Sequence, residues 1–268
     1  MPDSAVATVL LGWLGIAALQ VVLWLVQKRR HDAGVVDVGW AASFGLLANF
    51  YAAFAYQAGM PTARVLIVQV LASIWSFRLA GHLLVDRIIG KPEDGRYQQL
   101  RASWAGRVQS FFFWFFQAQA LLAVVLSIPY LVAMLNPHRS LTMFDMAGIA
   151  IWVVSVGGEA LADAQLARFR KDPAHRGRTC RAGLWRYSRH PNYFFEWLHW
   201  FAWVLLAVGA DNWWLSLISP PLILYFILKV TGIPPTEARA LLSRGDDYRD
   251  YQRTTSAFIP WFPKRSDA

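Results

Sequence analysis

The chain has 268 residues, of which 56% are hydrophobic and only 16% are charged. Soluble globular domains carry about 25% charged residues, and their helices alternate apolar and polar faces. The composition therefore argues against a soluble protein, and the net charge of +9 does not by itself indicate a nucleic-acid-binding one. Fourteen tryptophans fit a membrane protein, because tryptophan collects at membrane–water interfaces.

Long stretches without a polar face predict membrane-spanning helices, since a span needs roughly 20 apolar residues. Such stretches follow one another along the chain, at residues 5–27, 34–56, 62–86, 109–135, 142–166, 193–210 and 213–230. They are too long and too uniformly apolar for the strands of a membrane barrel. The sequence predicts an all-α polytopic membrane protein with about seven transmembrane helices, forming a single membrane-embedded domain over residues 1–268. Pro220-Pro221 predicts a kink or a break in the last span.

The basic residues predict the topology. Of the 26 lysines and arginines, 23 lie in one set of alternating loops, at residues 28–30, 87–107, 168–189 and 229–265. The positive-inside rule then predicts an N-terminus outside and a C-terminus in the cytoplasm. Basic loops at an anionic leaflet explain the charge without nucleic acid, so we expect membrane lipids as partners. The expected location is an integral, multi-pass one, which in a bacterium is the inner membrane.

Ionisable side chains inside spans are costly, about 2.5–3.5 kcal/mol each at a helix centre, and usually face a protein interior or a wet cavity. Each one alone could simply pair two helices. As a set they fall towards the cytoplasmic ends of the spans, which predicts a polar cavity open to the cytoplasm. These residues are Asp37, the four-spaced Arg78, His82 and Asp86, the pair Glu159 and Asp163, and Glu196 with His199.

The loop at residues 168–190 carries eight lysines and arginines together with His175 and His190. Arginine holds phosphate through two parallel hydrogen bonds, so the loop could bind a diphosphate, although attraction to lipid headgroups is the alternative. No glycine-rich dinucleotide motif follows a strand, and HExxH is absent. His190 and His199 are a weak zinc pattern, and the single Cys180 suggests no disulfide within the chain, so no metal site is predicted.

The sequence GLWRYSRHPNYFFEW, preceded by DAQLARFRK and followed by YRDYQRTTSAFIPWFP, resembles the steroid 5α-reductase-like membrane reductases. It is most similar to the bacterial branch labelled a domain of unknown function, DUF1295. VVDVGW and WSFRLAGHLL…GKPEDGRYQQLR also resemble that branch, so the similarity covers about residues 28–263, with a family core at about 109–263. The resemblance implies NADPH bound from the cytoplasmic side. It also implies reduction of a carbon–carbon double bond conjugated to a carbonyl, in a lipophilic small-molecule substrate.

The resemblance also implies roles for residues. It places Asn192 and Glu196 at the nicotinamide end of the cofactor, where Pro191 begins a helix whose free N–H groups point at the ligand. It places the adenosine and phosphate end at Asp163, Arg170 and Lys171. Arg78 would line the same cavity, and Arg249 with Tyr251 or Tyr248 would close over the nucleotide. The remaining candidates for cofactor binding are His82, Asp86, Glu159, Tyr187, Arg189 and His190.

The substrate end departs from the animal steroid reductases. Those enzymes carry a Gln-Glu pair in an early helix and a tyrosine one turn before the arginine that matches Arg78. Here Trp75 stands at the tyrosine position, and Asp37 is the acid available in an early helix. Asp37 could donate a proton if apolar surroundings keep it neutral, with Tyr187 or Tyr193 as alternatives. The predicted catalytic residues are therefore Asp37, Glu196 and Tyr193.

Two other functions stay open. The Arg-His-Pro motif also occurs in isoprenylcysteine carboxyl methyltransferase-like proteins, which use S-adenosylmethionine, but the basic loop exceeds what that cofactor needs. A transporter or lipid-binding protein would be favoured by paired repeats of broken helices, and no repeat is visible. The sequence leaves open the substrate, the oligomeric state and the choice between NADPH and NADH, although the arginines favour NADPH.

Overall fold

The computed structural model describes residues 3–104 and 106–264, and within these ranges it contains helices and no strand. The α-helices are α1 (Asp3–Arg30), α2 (Val35–Gln57), α3 (Thr62–Leu83), α4 (Gly95–Ser103), α5 (Val108–Met134), α6 (Met143–Lys171), α7 (Pro191–Ala207), α8 (Ser219–Tyr225), α9 (Ile233–Arg244) and α10 (Asp246–Thr254). Short 3₁₀ helices cover Pro173–His175, Gly183–Arg186 and Trp213–Ile218, and π-helical turns cover Leu84–Ile88 and Phe226–Val230.

In the described part of the chain, six helical stretches are long and apolar enough to cross a membrane. They are Ser4–Arg30, Val35–Gln57, Thr62–Ile88, Val108–Met134, Met143–Lys171 and Trp213–Arg244. The protein is therefore an all-α, multi-pass integral membrane protein, as predicted. The stretch predicted at 193–210 is α7, whose 17 residues extend about 26 Å, which is shorter than a typical span. The last stretch changes from 3₁₀ to α-helix just before Pro220, where a break was expected.

The contacts divide the chain into two compact units. The first, unit 1, comprises the residues up to Thr142 together with Leu206–Ser216. The second, unit 2, comprises Met143–Leu205 and the residues from Leu217 onward. Unit 1 therefore contains α1 to α5, whereas unit 2 contains α6, nearly all of α7, and α8 to α10.

In unit 1, α2 packs against α1, α3 and α5. Phe44 of α2 is fully buried and meets the ring of Trp75 edge-on at 5.3 Å. One polar pair joins α1 to α5: the Gln27 amide donates to Gln109 Oε1 at 2.7 Å. Lipid offers no hydrogen bonds, so such a pair helps to hold the two helices together.

In unit 2, α6 holds both the loop that precedes α7 and α7 itself. The indole of Trp185 donates to the Ala162 carbonyl at 2.9 Å, and the Leu184 amide donates to Gln165 Oε1 at 2.9 Å. Gly183 has φ +59 and lies against the Gln165 side chain, where a Cβ would come within 2.5 Å of it. Glycine is required there because the left-handed backbone and the close approach both disfavour a side chain.

Two adjacent glycines of α6 test how closely α6 and α7 pack. A Cβ at Gly158 would lie 2.5 Å from the Phe195 ring, whereas a Cβ at Gly157 meets nothing within 4 Å. Both alanines gain helix propensity equally, so we expect Gly158→Ala to be about 1–3 kcal/mol less stable than Gly157→Ala through overpacking. Thermal unfolding of both variants in the same detergent measures the difference. Equal stability would mean that α6 and α7 are not in close contact at this position.

Candidate functional site

The start of α7 is held by a polar network around Glu237 of α9. Arg189 Nε donates to Glu237 Oε1 at 2.7 Å, and His190 Nε2 lies 3.2 Å from the same oxygen. Gln252 Nε2 donates to the other carboxylate oxygen at 2.8 Å, and the Tyr248 hydroxyl donates to Oε1 at 3.4 Å. We call these five residues the Glu237 network. It ties the residues just before α7 to α9 and α10.

Arg189 also holds the end of α10. Its Nη1 donates to the backbone carbonyls of Gln252 at 3.0 Å and Thr255 at 2.7 Å. Carbonyls at a helix C-terminus lack partners inside the helix, and an arginine satisfies them while complementing the helix dipole. Arg189 and His190, which the sequence predicted as cofactor ligands, are thus placed by the structure in contacts that position α7.

Sequence reasoning missed Glu237 and Gln252. The available signal was weak: Glu237 is an acidic residue within the basic stretch 229–265. Nothing local in the sequence tells which of the nearby cations it meets, because its partners Arg189 and His190 are 48 and 47 residues away. Only the packing of α9 against the start of α7 reveals the pair.

Tyr251 fixes the same loop from the side of α10. Its buried hydroxyl donates to the carbonyl of Trp185 and to the carbonyl of Ser188, the latter at 3.1 Å. Burial raises the pKa of this phenol above its ordinary value of 10.0, and the neighbouring Tyr248 adds to the effect. Tyr251 therefore stays a neutral hydrogen-bond donor, and within the structure it holds the loop at 185–188 against α10.

Asn192 and Asp163 form a polar contact between α7 and α6. Asn192 Nδ2 donates to Asp163 Oδ1 at 3.2 Å. Asn192 Oδ1 is buried and accepts no hydrogen bond from any residue that the structure describes. An unused buried acceptor costs free energy, roughly 1–3 kcal/mol, and an external donor would remove that cost.

The face of α6 that carries Asp163 changes character along the helix. Glu159, one turn before Asp163, is 5% exposed, whereas Arg170 and Lys171 at the C-terminal end are exposed. Asp163 and Arg170 are seven residues apart, which is two turns and about 10 Å along an α-helix. The helix thus presents a buried acidic part followed by an exposed basic end.

The other predicted residues of unit 2 have separate surroundings. The Tyr193 hydroxyl lies 3.1 Å from Thr236 Oγ1, and its ring stacks on His190 at 5.3 Å. Glu196 accepts a 3.4 Å hydrogen bond from the indole of Trp200. Tyr187 is 37% exposed. Arg249 pairs with Asp246 at 2.6 Å beside an open depression of about 450 Å³ on α10.

The predicted residues of unit 1 do not all share one environment. Arg78 is half-buried in α3, whereas His82 and Asp86 are exposed. Asp86 lies in the π-helical turn Leu84–Ile88, whose winding is wider than the α-helical winding on which a four-residue spacing is based.

Asp37 is surrounded by hydrogen-bond donors and cations. It accepts from Arg96 Nη2 at 2.9 Å and from the Tyr97 hydroxyl at 2.6 Å, and Arg87 lies at 3.5 Å. Burial alone would lower the pKa of Arg96, but Asp37, Tyr97 and Asp94 raise it, and the net shift is upward. Asp37 is therefore not an isolated carboxyl in apolar surroundings, because two guanidinium groups and a phenol lie within 3.5 Å of it.

Among the described residues, no group of three or more His, Cys, Asp or Glu side chains is placed to hold a metal ion. Most of the polar contacts between helices of unit 2 lie in one region, in which α6, α7, α9 and α10 meet the loop before α7.

Residues 23–255 match the family described as a protein of unknown function, DUF1295. The chain belongs to this family. One relative, the uncharacterized protein C594.04c of Schizosaccharomyces pombe, is 27% identical over 231 residues. That match covers 74% of this chain and 66% of the yeast protein, so the chain spans just under two thirds of that relative. No solved structure was found to match this DUF1295 chain.

Removing the negative charge of Glu237 tests the Glu237 network. Glu237→Gln leaves Arg189 without its counter-charge, and both side chains are mostly buried, at 15% and 11% exposure. We expect a loss of about 3 kcal/mol, the lower end for breaking a buried pair. The control is Arg253→Gln, which breaks an exposed 3.3 Å pair with Asp250 and should change stability by less than about 1 kcal/mol. Chemical denaturation of both variants in detergent gives the comparison, and equal losses would contradict the network.

His190 predicts a pH dependence of stability. Burial lowers its pKa below the ordinary 6.5, the nearby Arg189 and Arg244 act in the same direction, and Glu237 opposes them. The folded state therefore binds this proton less readily than the unfolded chain. Stability should be full above pH 6.5 and fall as the pH drops below it, by at most about 1.4 kcal/mol per pH unit.

The measurement is the unfolding free energy as a function of pH for the wild type and His190→Gln. Glutamine keeps a donor for Glu237 but does not titrate, so the variant should lose the decline that begins near pH 6.5. The same decline in both proteins would assign it to another group.

Proposed function

We propose that this DUF1295 protein is an NADPH-dependent membrane reductase. Its reaction would reduce a carbon–carbon double bond conjugated to a carbonyl in a lipophilic substrate. The observation that carries the proposal is the buried, unused oxygen of Asn192 beside Asp163. A nicotinamide carboxamide has the complementary chemistry, because its NH₂ group donates and its carbonyl accepts.

The residues of unit 2 fit such a group. Asn192 Oδ1 would accept from the carboxamide, while Asp163 fixes the orientation of the Asn192 side chain through the 3.2 Å hydrogen bond. Asn192 lies in the first turn of α7, whose backbone N–H groups and helix dipole favour a negatively charged or carbonyl group. Glu196 lies four residues further along α7, on the same helical face.

The basic end of α6 fits the phosphates. Arg181 is bound to Asp247 and Asp250, and Arg189 belongs to the Glu237 network. The other six cations of this loop are exposed: Arg168, Arg170, Lys171, Arg176, Arg178 and Arg186. Arg170 lies about 10 Å along α6 from Asp163, which suits a ligand that carries its amide and its phosphates at different ends. The surplus of cations favours NADPH over NADH, because the 2′-phosphate needs a cationic partner.

Bound NADPH would supply the hydride for the β-carbon of the enone. Positioning by Asn192 and Glu196 would fix the geometry of that transfer. The proton for the α-carbon would come from Tyr193, whose hydroxyl is held by Thr236 at 3.1 Å, or from water. A membrane-embedded protein also gives a lipophilic enone direct access from the bilayer.

Cofactor binding tests the proposal without a substrate. The protein in detergent is unfolded thermally with NADPH, NADP⁺, NADH or S-adenosylmethionine, since a ligand that binds the folded state raises stability with concentration. We expect a shift with NADPH and NADP⁺, and a weaker one with NADH. Asn192→Ala should bind NADPH roughly fivefold to tenfold more weakly, the effect of one lost hydrogen bond.

The matched control is Asn49→Ala, which removes an asparagine of α2 that bonds to Ser73 in unit 1. Its affinity for NADPH should equal that of the wild type. A shift with S-adenosylmethionine alone would instead assign the protein to the methyltransferase class. No shift with any nicotinamide cofactor, or equal affinity in Asn192→Ala and the wild type, would overturn the proposed site.

A further inference from the structure

The segment that follows α10 has a fixed backbone without being helical. We call residues 256–264 the C-terminal segment. The Arg189 amide donates to the Ser256 carbonyl at 2.8 Å, and the Ser188 hydroxyl donates to the Phe258 carbonyl at 2.8 Å. Further along, the Trp261 amide donates to the Tyr187 carbonyl at 2.9 Å. The segment therefore lies along residues 187–189, just before α7.

The side chains of the C-terminal segment divide into an inner and an outer set. Phe258 is buried, and its ring meets Phe194 at 5.9 Å and Trp197 at 5.6 Å in the first two turns of α7. Ile259, Trp261 and Phe262 point away from the protein and are 57%, 70% and 76% exposed. Three large apolar side chains are thus presented outward from a backbone that the protein holds in place.

Cations flank this apolar group. Lys264 follows it at the end of the described chain, and the exposed Arg186 precedes Tyr187, whose ring meets Phe262 at 6.1 Å. Aromatic and aliphatic side chains bordered by lysine and arginine are the combination that lies in the interface of a bilayer with anionic headgroups. Exposing such a group to water is unfavourable, whereas a lipid interface stabilises it.

The level of the C-terminal segment along α7 also fits a membrane interface. Phe258 contacts the level of α7 at which the basic loop gives way to the apolar run of that helix. In a protein that already spans the bilayer, this level is where headgroups meet hydrocarbon. We propose that Ile259, Trp261 and Phe262 insert into this membrane interface as an anchor, with Lys264 and Arg186 at the lipid phosphates. The proposal is independent of the cofactor and of the reaction.

The anchor bears on the start of α7 because the same backbone serves both. The C-terminal segment accepts from the amide of Arg189 and from the hydroxyl of Ser188, two residues that lead directly into α7. Lipid contact at Trp261 and Phe262 would therefore hold the loop before α7 at a fixed depth. This role differs from core packing, since the three outward side chains are not buried in the protein core.

Site-directed fluorescence tests the anchor. In a Cys180→Ala background, which removes the single cysteine, Trp261→Cys and separately Phe262→Cys are labelled with an environment-sensitive dye. The labelled protein is placed in nanodiscs of mixed neutral and anionic phospholipid. Quenching by a lipid nitroxide near the headgroup, by one near the chain end and by aqueous iodide is then compared. The matched control is Arg253→Cys on α10, whose native side chain is 78% exposed.

We expect both anchor probes to be blue-shifted, quenched most by the shallow nitroxide and protected from iodide, with the Arg253→Cys probe quenched by iodide alone. Iodide quenching at Trp261→Cys and Phe262→Cys equal to that of the control would overturn the anchor. Protection from iodide without quenching by either lipid nitroxide would also overturn it, in favour of burial against protein, such as a second copy. Unfolding temperatures in detergent equal to that of Cys180→Ala establish that the labelled variants are folded.

Discussion

The carboxylate of Glu237 is the group on which the arrangement of unit 2 depends. It accepts hydrogen bonds from a guanidinium, an amide and a phenol and lies 3.2 Å from the imidazole of His190, and two of these partners come from the loop immediately before α7. A charge with 15% exposure is stable only with such partners, and the buried cation of Arg189 needs the carboxylate equally. Because each charge offsets the cost of burying the other, the pair holds α9, α10 and the start of α7 together.

That fixed start gives Asn192 a defined place. Arg189 and His190 are held by Glu237, and Tyr251 and Trp185 hold the preceding loop to α10 and α6. Asn192 follows directly and meets Asp163 of α6 with one amide atom, while its oxygen keeps an unused acceptor position. A buried polar atom without a protein partner needs an explanation, and a bound ligand is one that experiment can test.

Polar residues of unit 1 also bond to one another, as expected within a membrane. In unit 1, Gln27 and Gln109 bond to each other inside the spans, and Asp37 is enclosed by Arg96, Arg87 and Tyr97. Each of these polar residues could have been assigned to chemistry from its unusual position alone. Their contacts show that several are used to join helices in a solvent that offers no hydrogen bonds. Position within a span therefore identifies polar residues that matter, and their partners distinguish positioning from binding.

The amino-acid sequence is enough to predict the class of protein, the positions of the long helices and the segments that carry the polar residues. These follow from apolar runs, charge density and proline, which act over a few turns of chain and can be read locally. It placed α7 at residues 193–210, close to the observed Pro191–Ala207, but it did not reveal the π-helical turn at Leu84–Ile88, because such a turn depends on how the end of the helix is packed. It also assigned Arg189, Asn192 and Asp37 to one cofactor and substrate site, although the three residues have different surroundings in the structure.

The pairing of the polar residues is visible in the packed helices and not in the sequence. Glu237 lies 48 residues from Arg189, and Asn192 lies 29 residues from Asp163, so neither pair leaves a mark in the local pattern. The same holds for the C-terminal segment. Hydrogen bonds to residues 187–189, a distant part of the chain, hold this segment with Phe258 inward and Trp261 outward. The physical reason is that hydropathy specifies which residues avoid water, whereas the partner of a buried polar atom is specified by the geometry of packed helices.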